Sequence, residues 1–354
     1  LPYGEEWRAH RKLLHTALSP TQVKEYQNMQ EDIAASLCKG LLETPEDFMS
    51  LARTSAGKII IAITYGIPAS PAQMEYIADG EKAAYTFAKS SIPGKYLCDL
   101  VPLLKYAPSW VSFQREAREA KKLFMGIRRR PLEHVKREMK AGSALPSLSH
   151  TLLSSPPDDI TYAQFEHRVM FVAGTMFGGA TFLTFIMAMA LNRDKQLKAQ
   201  AEIDAMVGKD RLPTIGDRPH LPYVNAVIKE TMRWQPAVPM GLPRRTFEDD
   251  EYNGHFIPKD TTIVPNVWAI AYEADDKYDP ESFLPERFLD EAHYIPDPSE
   301  WIFGFGRRIC PGRYLAENSV FILTASILTA FDVFPPECGR IVQEFRQGIG
   351  RYVA

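Results

Sequence analysis

The sequence predicts a mainly α-helical fold with a small β-sheet, and three observations carry that reading. Apolar residues recur at helical spacing along most of the 354 residues. The strongest strand signal is Asn253-Gly254, a hairpin turn pair with strand-like residues on both sides. The stretch from Val169 to Asn192 holds no charged residue and fits a helix buried on every side in a large core.

Taken in order, residues 1–15 place Trp7 and Arg11 one helical turn apart on the same face. Pro20 to Glu43 and Glu46 to Tyr65 keep helical periodicity, and Gly66 with Pro68 closes the second run. Pro71 to Lys89 reads as a further helix, followed to Pro108 by an apolar connection broken by prolines. A charged helix is expected from Phe113 to Lys140, interrupted by Pro131. The Ser-, Pro- and Leu-rich stretch 141–157 reads as a surface loop.

The uncharged stretch 169–192, flanked by Arg168 and Arg193, is long enough to cross a bilayer. Gly174, Thr175, Gly178, Gly179 and Thr181 interrupt it and charged helical sequence follows at once, which favours a core helix. Asp194 to Val207 and Leu221 to Trp234 read as helices. On the second, Glu230 and Arg233 are spaced to pair, among the apolar Val227, Ile228, Met232 and Trp234. The hairpin around Asn253-Gly254 forms the small sheet, and Arg313 to Phe331 is the last helix. The tail from Glu337 to Ala354 is short and polar.

A composition of 45% hydrophobic and 24% charged residues is that of a folded globular chain. The net charge of -3 and the lack of a basic tract longer than Arg128-Arg129-Arg130 argue against a nucleic-acid partner. Four cysteines without paired spacing imply a reducing compartment and no disulfide framework.

The stretch with most chemistry is Phe303-Gly-Phe-Gly-Arg-Arg-Ile-Cys-Pro-Gly312. Cys310 lies just before a helix, where the positive end of the dipole and Arg308 favour an anionic sulfur. Gly306 and Gly312 let the backbone turn tightly and lie close to a flat partner. Such a thiolate could serve as a nucleophile, a zinc ligand or an axial haem ligand, or be a plain structural cysteine. Zinc needs further ligands, and Cys338 is far outside Cys-x-x-Cys spacing. A nucleophile would need a base, and no histidine lies within the stretch.

The pattern Phe303-x-x-Gly306-x-Arg308-x-Cys310-x-Gly312 resembles the haem-binding signature of the cytochrome P450 family at every fixed position. The sequence is similar to fungal microsomal members of the O-methylsterigmatocystin oxidoreductase type, through Pro93-Gly-Lys-Tyr-Leu and the region around Gly174. The resemblance implies a single haem-thiolate domain over residues 1–354, lacking the N-terminal anchor, the first elements and the C-terminal hairpin. It implies haem b held by Cys310 as axial iron ligand, with Phe303, Gly306, Arg308 and Gly312 shaping the loop. Trp7, Arg11 and Arg244 would meet the propionates. Glu230, Arg233 and Arg287 of Pro285-Glu-Arg-Phe would form a buried structural cluster.

The implied activity is a monooxygenase of fungal secondary metabolism that inserts one atom of O2 into an apolar small molecule. NADPH supplies electrons through a flavoprotein reductase, whose docking would involve Arg307 and Arg313. A full-length parent would associate with the endoplasmic reticulum membrane on its cytosolic face, with the connection 91–108 toward the bilayer.

One departure from the family pattern bears on activity. Where the family carries an acid and a Thr-Thr pair in its central helix, this chain reads Gly174-Thr-Met-Phe-Gly-Gly-Ala-Thr-Phe-Leu-Thr184. Beside similar fungal sequences about six residues are missing near Ala180, on the order of 9 Å of helix. Thr181 is the nearest hydroxyl that could stand in, although a threonine bonded to its own helix is the plainer role. Two alternatives stay open: a haem-binding but catalytically impaired homologue, and a membrane-spanning chain using residues 169–192.

Overall fold

The computed structural model describes residues 3–90, 94–108, 110–157, 160–173 and 180–335. Its helices are α1 Glu5–Leu18, α2 Pro20–Val23, α3 Gln27–Glu43, α4 Phe48–Tyr65, α5 Pro71–Ser90, α6 Leu97–Leu100 and α7 Ser112–Ala141. They continue as α8 Leu148–Ser154, α9 Tyr162–Ala173, α10 Ala180–Leu191, α11 Arg193–Met206, α12 Pro222–Trp234, α13 Val267–Ala271 and α14 Arg313–Ala330. Among the described residues the strands form two antiparallel pairs. β1 Arg244–Arg245 pairs with β4 Thr262–Ile263, and β2 Asp250–Tyr252 with β3 His255–Ile257. Asn253 and Gly254 both take positive φ, 50° and 78°, as a two-residue turn joining β2 to β3 requires. The expected small sheet is therefore two short ribbons, and the mainly helical class holds.

The chain divides into two compact units, one drawn from residues 1–22 and 53–178, the other from residues 23–52 and 179–334. In the first, α5 packs on α7, α1 on α9, and α8 on both α7 and α9.

This unit corrects two sequence expectations. Helix α7 runs unbroken through Pro131, which is buried. A proline removes one backbone hydrogen bond, but side-chain contacts hold α7 on both sides of it. Arg130 pairs with Glu75 and Asp79 on α5, and Tyr76 Oη lies 3.3 Å from His134 Nδ1. The stretch expected as a surface loop contains α8, whose Leu148, Leu152 and Leu153 are buried. Ser147 caps it, its Oγ accepting from the His150 amide at 3.1 Å. Three leucines at helical spacing outweighed the serines and prolines around them.

In the second unit α14 is the central element, with Phe321, Ile322, Leu323, Ala325, Ile327 and Leu328 all buried. Each of its large apolar side chains contributes roughly 1.5–3 kcal/mol by leaving water. Helix α3 packs along it, and the buried Gln30 donates to the Leu315 carbonyl at 3.2 Å and to Ser319 Oγ at 2.8 Å. The α12 amides of Tyr223 and Val224 donate to the Glu202 carboxylate of α11 at 2.8 and 2.9 Å. That contact supplies acceptors for two amides that the helix leaves unpaired.

The expected central helix of residues 169–192 is described as the end of α9 and the whole of α10, and residues 174–179 lie outside the described residues. No helix among the described residues is long and apolar enough to cross a membrane, so the membrane-spanning alternative gains no support from them.

Candidate functional site

The cysteine loop is built into the second unit from both ends. Asp297 caps the turn Pro298–Glu300, its Oδ1 accepting from the Ser299 amide at 2.9 Å. Lys229 of α12 pairs with Asp297 Oδ2 at 2.8 Å. Burial opposes ionisation of Asp297, yet Lys229 and Ser299 hold its pKa below the ordinary carboxylate value. Next comes Trp301, buried against Val267 and Ala271 of α13, with Tyr272 and Ile302 packed beside them. On the far side Arg218 approaches Glu317 of α14 at 3.7 Å.

Between these anchors the backbone turns sharply. Gly304 and Gly306 have φ of 82° and 55°, where an L side chain is strained. Residues Gly306–Arg308 form one 3-10 turn, and the Cys310 amide donates to the Phe303 carbonyl at 2.7 Å, closing the loop. Cys310 is exposed. Gly312 is the N-cap of α14, and a Cβ there would sit 3.9 Å from Cys310 Sγ, in ordinary contact with the sulfur. A Cβ at Gly306 would meet no atom within 4 Å, which leaves that side of the loop clear.

The donor set is one accessible thiol. Among the described residues no group of three or more His, Cys, Asp or Glu could hold a metal ion. A single soft sulfur on a glycine loop with clear space beside it fits a cofactor that brings its own equatorial ligands, as haem does, and not a structural zinc site.

Behind the loop lies a buried ionic cluster. Glu230 is fully buried and Arg233 meets it with a two-pronged contact, Nε to Oε2 and Nη2 to Oε1, both 2.8 Å. Arg287 Nε reaches the same carboxylate at 3.1 and 3.2 Å, and the Leu284 amide donates to it at 2.8 Å. The guanidinium hydrogens left over go to carbonyls, Arg233 to Ala271, Pro280 and Ser282, and Arg287 to Asp279 and Ser282. Burial lowers the pKa of Arg287 while Glu230 counteracts it.

A sequence model of the cytochrome P450 family matches residues 1–351. The chain belongs to the cytochrome P450 family. It is 41% identical over 350 residues to cytochrome P450 monooxygenase COX2 of Coprinopsis cinerea, covering 95% of this chain and 66% of that protein. It is 36% identical over 344 residues to cytochrome P450 monooxygenase claR of Ampulloclitocybe clavipes, covering 94% and 63%. This cytochrome P450 thus spans about two thirds of the length of the curated relatives it matches. A solved zebra fish cytochrome P450 with abiraterone superposes with a TM-score of 0.74 at 25% identity, covering 99% of this chain and 80% of that one. Its counterpart with progesterone gives 0.73 at 26% identity, covering 96% and 79%. The cofactor of the family is haem b.

The structure of this P450 brings Phe303, Gly306, Arg308, Cys310 and Gly312 onto one loop, and Glu230, Arg233 and Arg287 into one cluster. Arg244 is exposed on β1, where its backbone pairs with Ile263. Trp7 and Arg11 are half-buried on α1, in the other unit, and the Trp7 ring meets that of Tyr3 at a tilt of 41° with centroids 4.9 Å apart. Thr181 is half-buried in the first turn of α10. Three residues that support the site were missed. Lys229 and Asp297 tie α12 to the entry of the cysteine loop, and Asp297-Pro-Ser-Glu300 is a cap-like signal that could have found that turn. Glu286, beside Arg287, gathers Lys195 and Lys198 of α11 and Tyr223 of α12.

Proposed function

We propose that this P450 is a haem-thiolate monooxygenase that inserts one oxygen atom from O2 into an apolar small molecule, with electrons from NADPH delivered by a flavoprotein reductase. The observation that carries the reading is the exposed Cys310 thiol at the mouth of α14, on a loop held by its own amide. Haem bound there would supply the iron chemistry that activates oxygen. Cys310 Sγ is proposed as the axial ligand. Its backbone is held by the hydrogen bond from the Cys310 amide to the Phe303 carbonyl.

The propionates of the cofactor need cationic and N–H donors, and Arg308, Arg244, Trp7 and Arg11 are the proposed set. Thr181 Oγ1 is the proposed hydroxyl that would hand on protons if haem were bound, in place of the acid and Thr-Thr pair that the sequence lacks. Glu230, Arg233 and Arg287 perform no chemistry in this reading. They fix α12 and α13, and through α13 the Trp301 that begins the cysteine loop.

Two finer proposals concern partners. Arg307, exposed on the loop, and Arg313, with its guanidinium 4.5 Å from the Tyr314 ring centroid, supply positive charge for an acidic reductase surface. Leu97, Val101, Leu103, Tyr106 and Trp110 are all exposed on the connection between α5 and α7. Such an apolar patch suits the membrane interface of an endoplasmic reticulum enzyme and the entry of an apolar substrate.

The deciding test is the difference spectrum of the purified chain, ferrous with and without carbon monoxide. A strongly red-shifted Soret band is expected from thiolate ligation, and its absence would sink the reading. Turnover with reductase and NADPH then tests oxygen activation.

A further inference from the structure

Helix α1 carries Trp7 and Arg11, yet no residue of its first three turns is buried; its buried residues, Ala17 and Leu18, lie at the other end. Its N-cap, Gly4, makes no side-chain cap. Within the first unit Glu6 ties this end to α9. Arg168 of α9 meets both of its carboxylate oxygens, Nε at 2.9 and 3.1 Å and Nη2 at 2.6 Å. His10, one turn along α1, approaches the same carboxylate at 3.0 Å. The paired fork gives direction as well as attraction, because two parallel donors fix the angle at which the carboxylate is held. Glu6 and His10 form the stripe next to Trp7 and Arg11, about 100° around the helix. A rotation of α1 would therefore turn both pairs together. The contact also walls a cavity of about 330 Å³ lined by Ile160, Ala163, Gln164 and His167, so α1 has open space on one flank at this point.

We propose that Glu6 and Arg168 are positioning residues, whose ion pair sets the rotation of α1 and hence the orientation of Trp7 and Arg11, the residues proposed above for the haem propionates. The inference rests on the haem reading above for its consequence, but not for its mechanics. The carboxyl of Glu6 is held below the ordinary carboxylate pKa chiefly by Arg168, as an ionised partner should be. An ordinary exposed pair contributes little, whereas a two-pronged guanidinium contact at the unburied end of a helix is the case in which such a pair counts.

The test uses the full chain and the variants Glu6→Gln, Arg168→Gln and the exchanged pair Glu6→Arg with Arg168→Glu. Two quantities are measured on each: hydrogen exchange of the amides of residues 5–18, and the rate at which haem passes to a high-affinity haem acceptor. The single variants should raise exchange across the first turns of α1, leave α14 unchanged and release haem about fivefold faster. The exchanged pair should restore both. Unchanged exchange in α1 of the single variants would overturn the proposal, whatever the haem data. Faster exchange without a change in haem release would overturn its link to Trp7 and Arg11. If the wild-type chain gives no thiolate spectrum, the haem reading falls, and exchange alone then decides whether the ion pair sets α1.

Discussion

Arg233 Nη1 donates to the carbonyl of Ala271 at 2.9 Å, and Ala271 packs against Trp301 at the start of the cysteine loop. The ionic cluster and the candidate haem ligand are thus connected by one short helix, α13. The fold keeps a buried carboxylate here because its charge is answered by two guanidinium groups and one amide.

Removing one member should therefore be severe. Arg233→Met or Glu230→Gln leaves a charge uncompensated and should cost roughly 3–5 kcal/mol of stability. Urea unfolding followed by circular dichroism checks the loss, and a cost below 1 kcal/mol would show that the cluster contributes little. With Arg233→Met haem retention should fall in parallel, because α13 loses the donor on the Ala271 carbonyl.

Cys310→Ser should separate folding from ligation. The side chain is exposed, so stability should change by less than about 0.5 kcal/mol. The red-shifted ferrous–CO band should disappear. A variant that kept the band would remove Cys310 from the ligand role.

The pH dependence of stability should carry the signature of Glu286. Burial pushes its pKa up, but Lys198, Tyr223 and Lys195 more than offset this and bring it to about 2. A carboxyl with a lowered folded pKa stabilises the fold at pH above its unfolded value and loses that contribution as pH falls. Stability should drop between about pH 4.5 and pH 2, and Glu286→Gln should flatten that limb. Thermal unfolding across pH 2 to 7 tests it, and parallel curves for the two proteins would contradict the assignment.

Ser147→Ala removes the cap of α8 and should cost about 1 kcal/mol. Ser147→Asn should recover most of it, since asparagine caps as well. Thermal unfolding resolves the difference.

Leu103→Asp combined with Trp110→Asp should weaken binding to phospholipid vesicles without altering the far-UV spectrum. Both side chains are largely exposed, at 78% and 77%, so their apolar surface is available to an interface. Equal sedimentation of variant and wild type with vesicles would remove this patch from the membrane proposal.

The sequence disclosed what depends on side-chain identity at short range. The helices around Trp7, Glu230 and Cys310, the Asn253-Gly254 hairpin and the order of residues on the cysteine loop were all visible in local pattern. Partners that depend on the path of the chain were hidden. The carbonyls of Ala271, Pro280 and Ser282 carry no identity a reader could recognise, and only the fold brings them to Arg233. Lys229 and Asp297 are far apart in sequence and common in type. Pro131 and Ser147 misled for the opposite reason, because local rules were overridden by packing on α5 and by buried leucines.

The exposure of Cys310 also gives the molecule a chemical reporter. Cys38 is buried with its thiol pushed up to about 11, so it should resist alkylation, while Cys98 is half-exposed and should react. A sulfur bound to iron gives up much of its charge to the metal and is covered by the cofactor, so it should alkylate far more slowly than a free thiol. The yield of carbamidomethyl at Cys310 relative to Cys98, read by peptide mass spectrometry, therefore counts the fraction of molecules that are loaded, even in a mixture where absorbance is ambiguous.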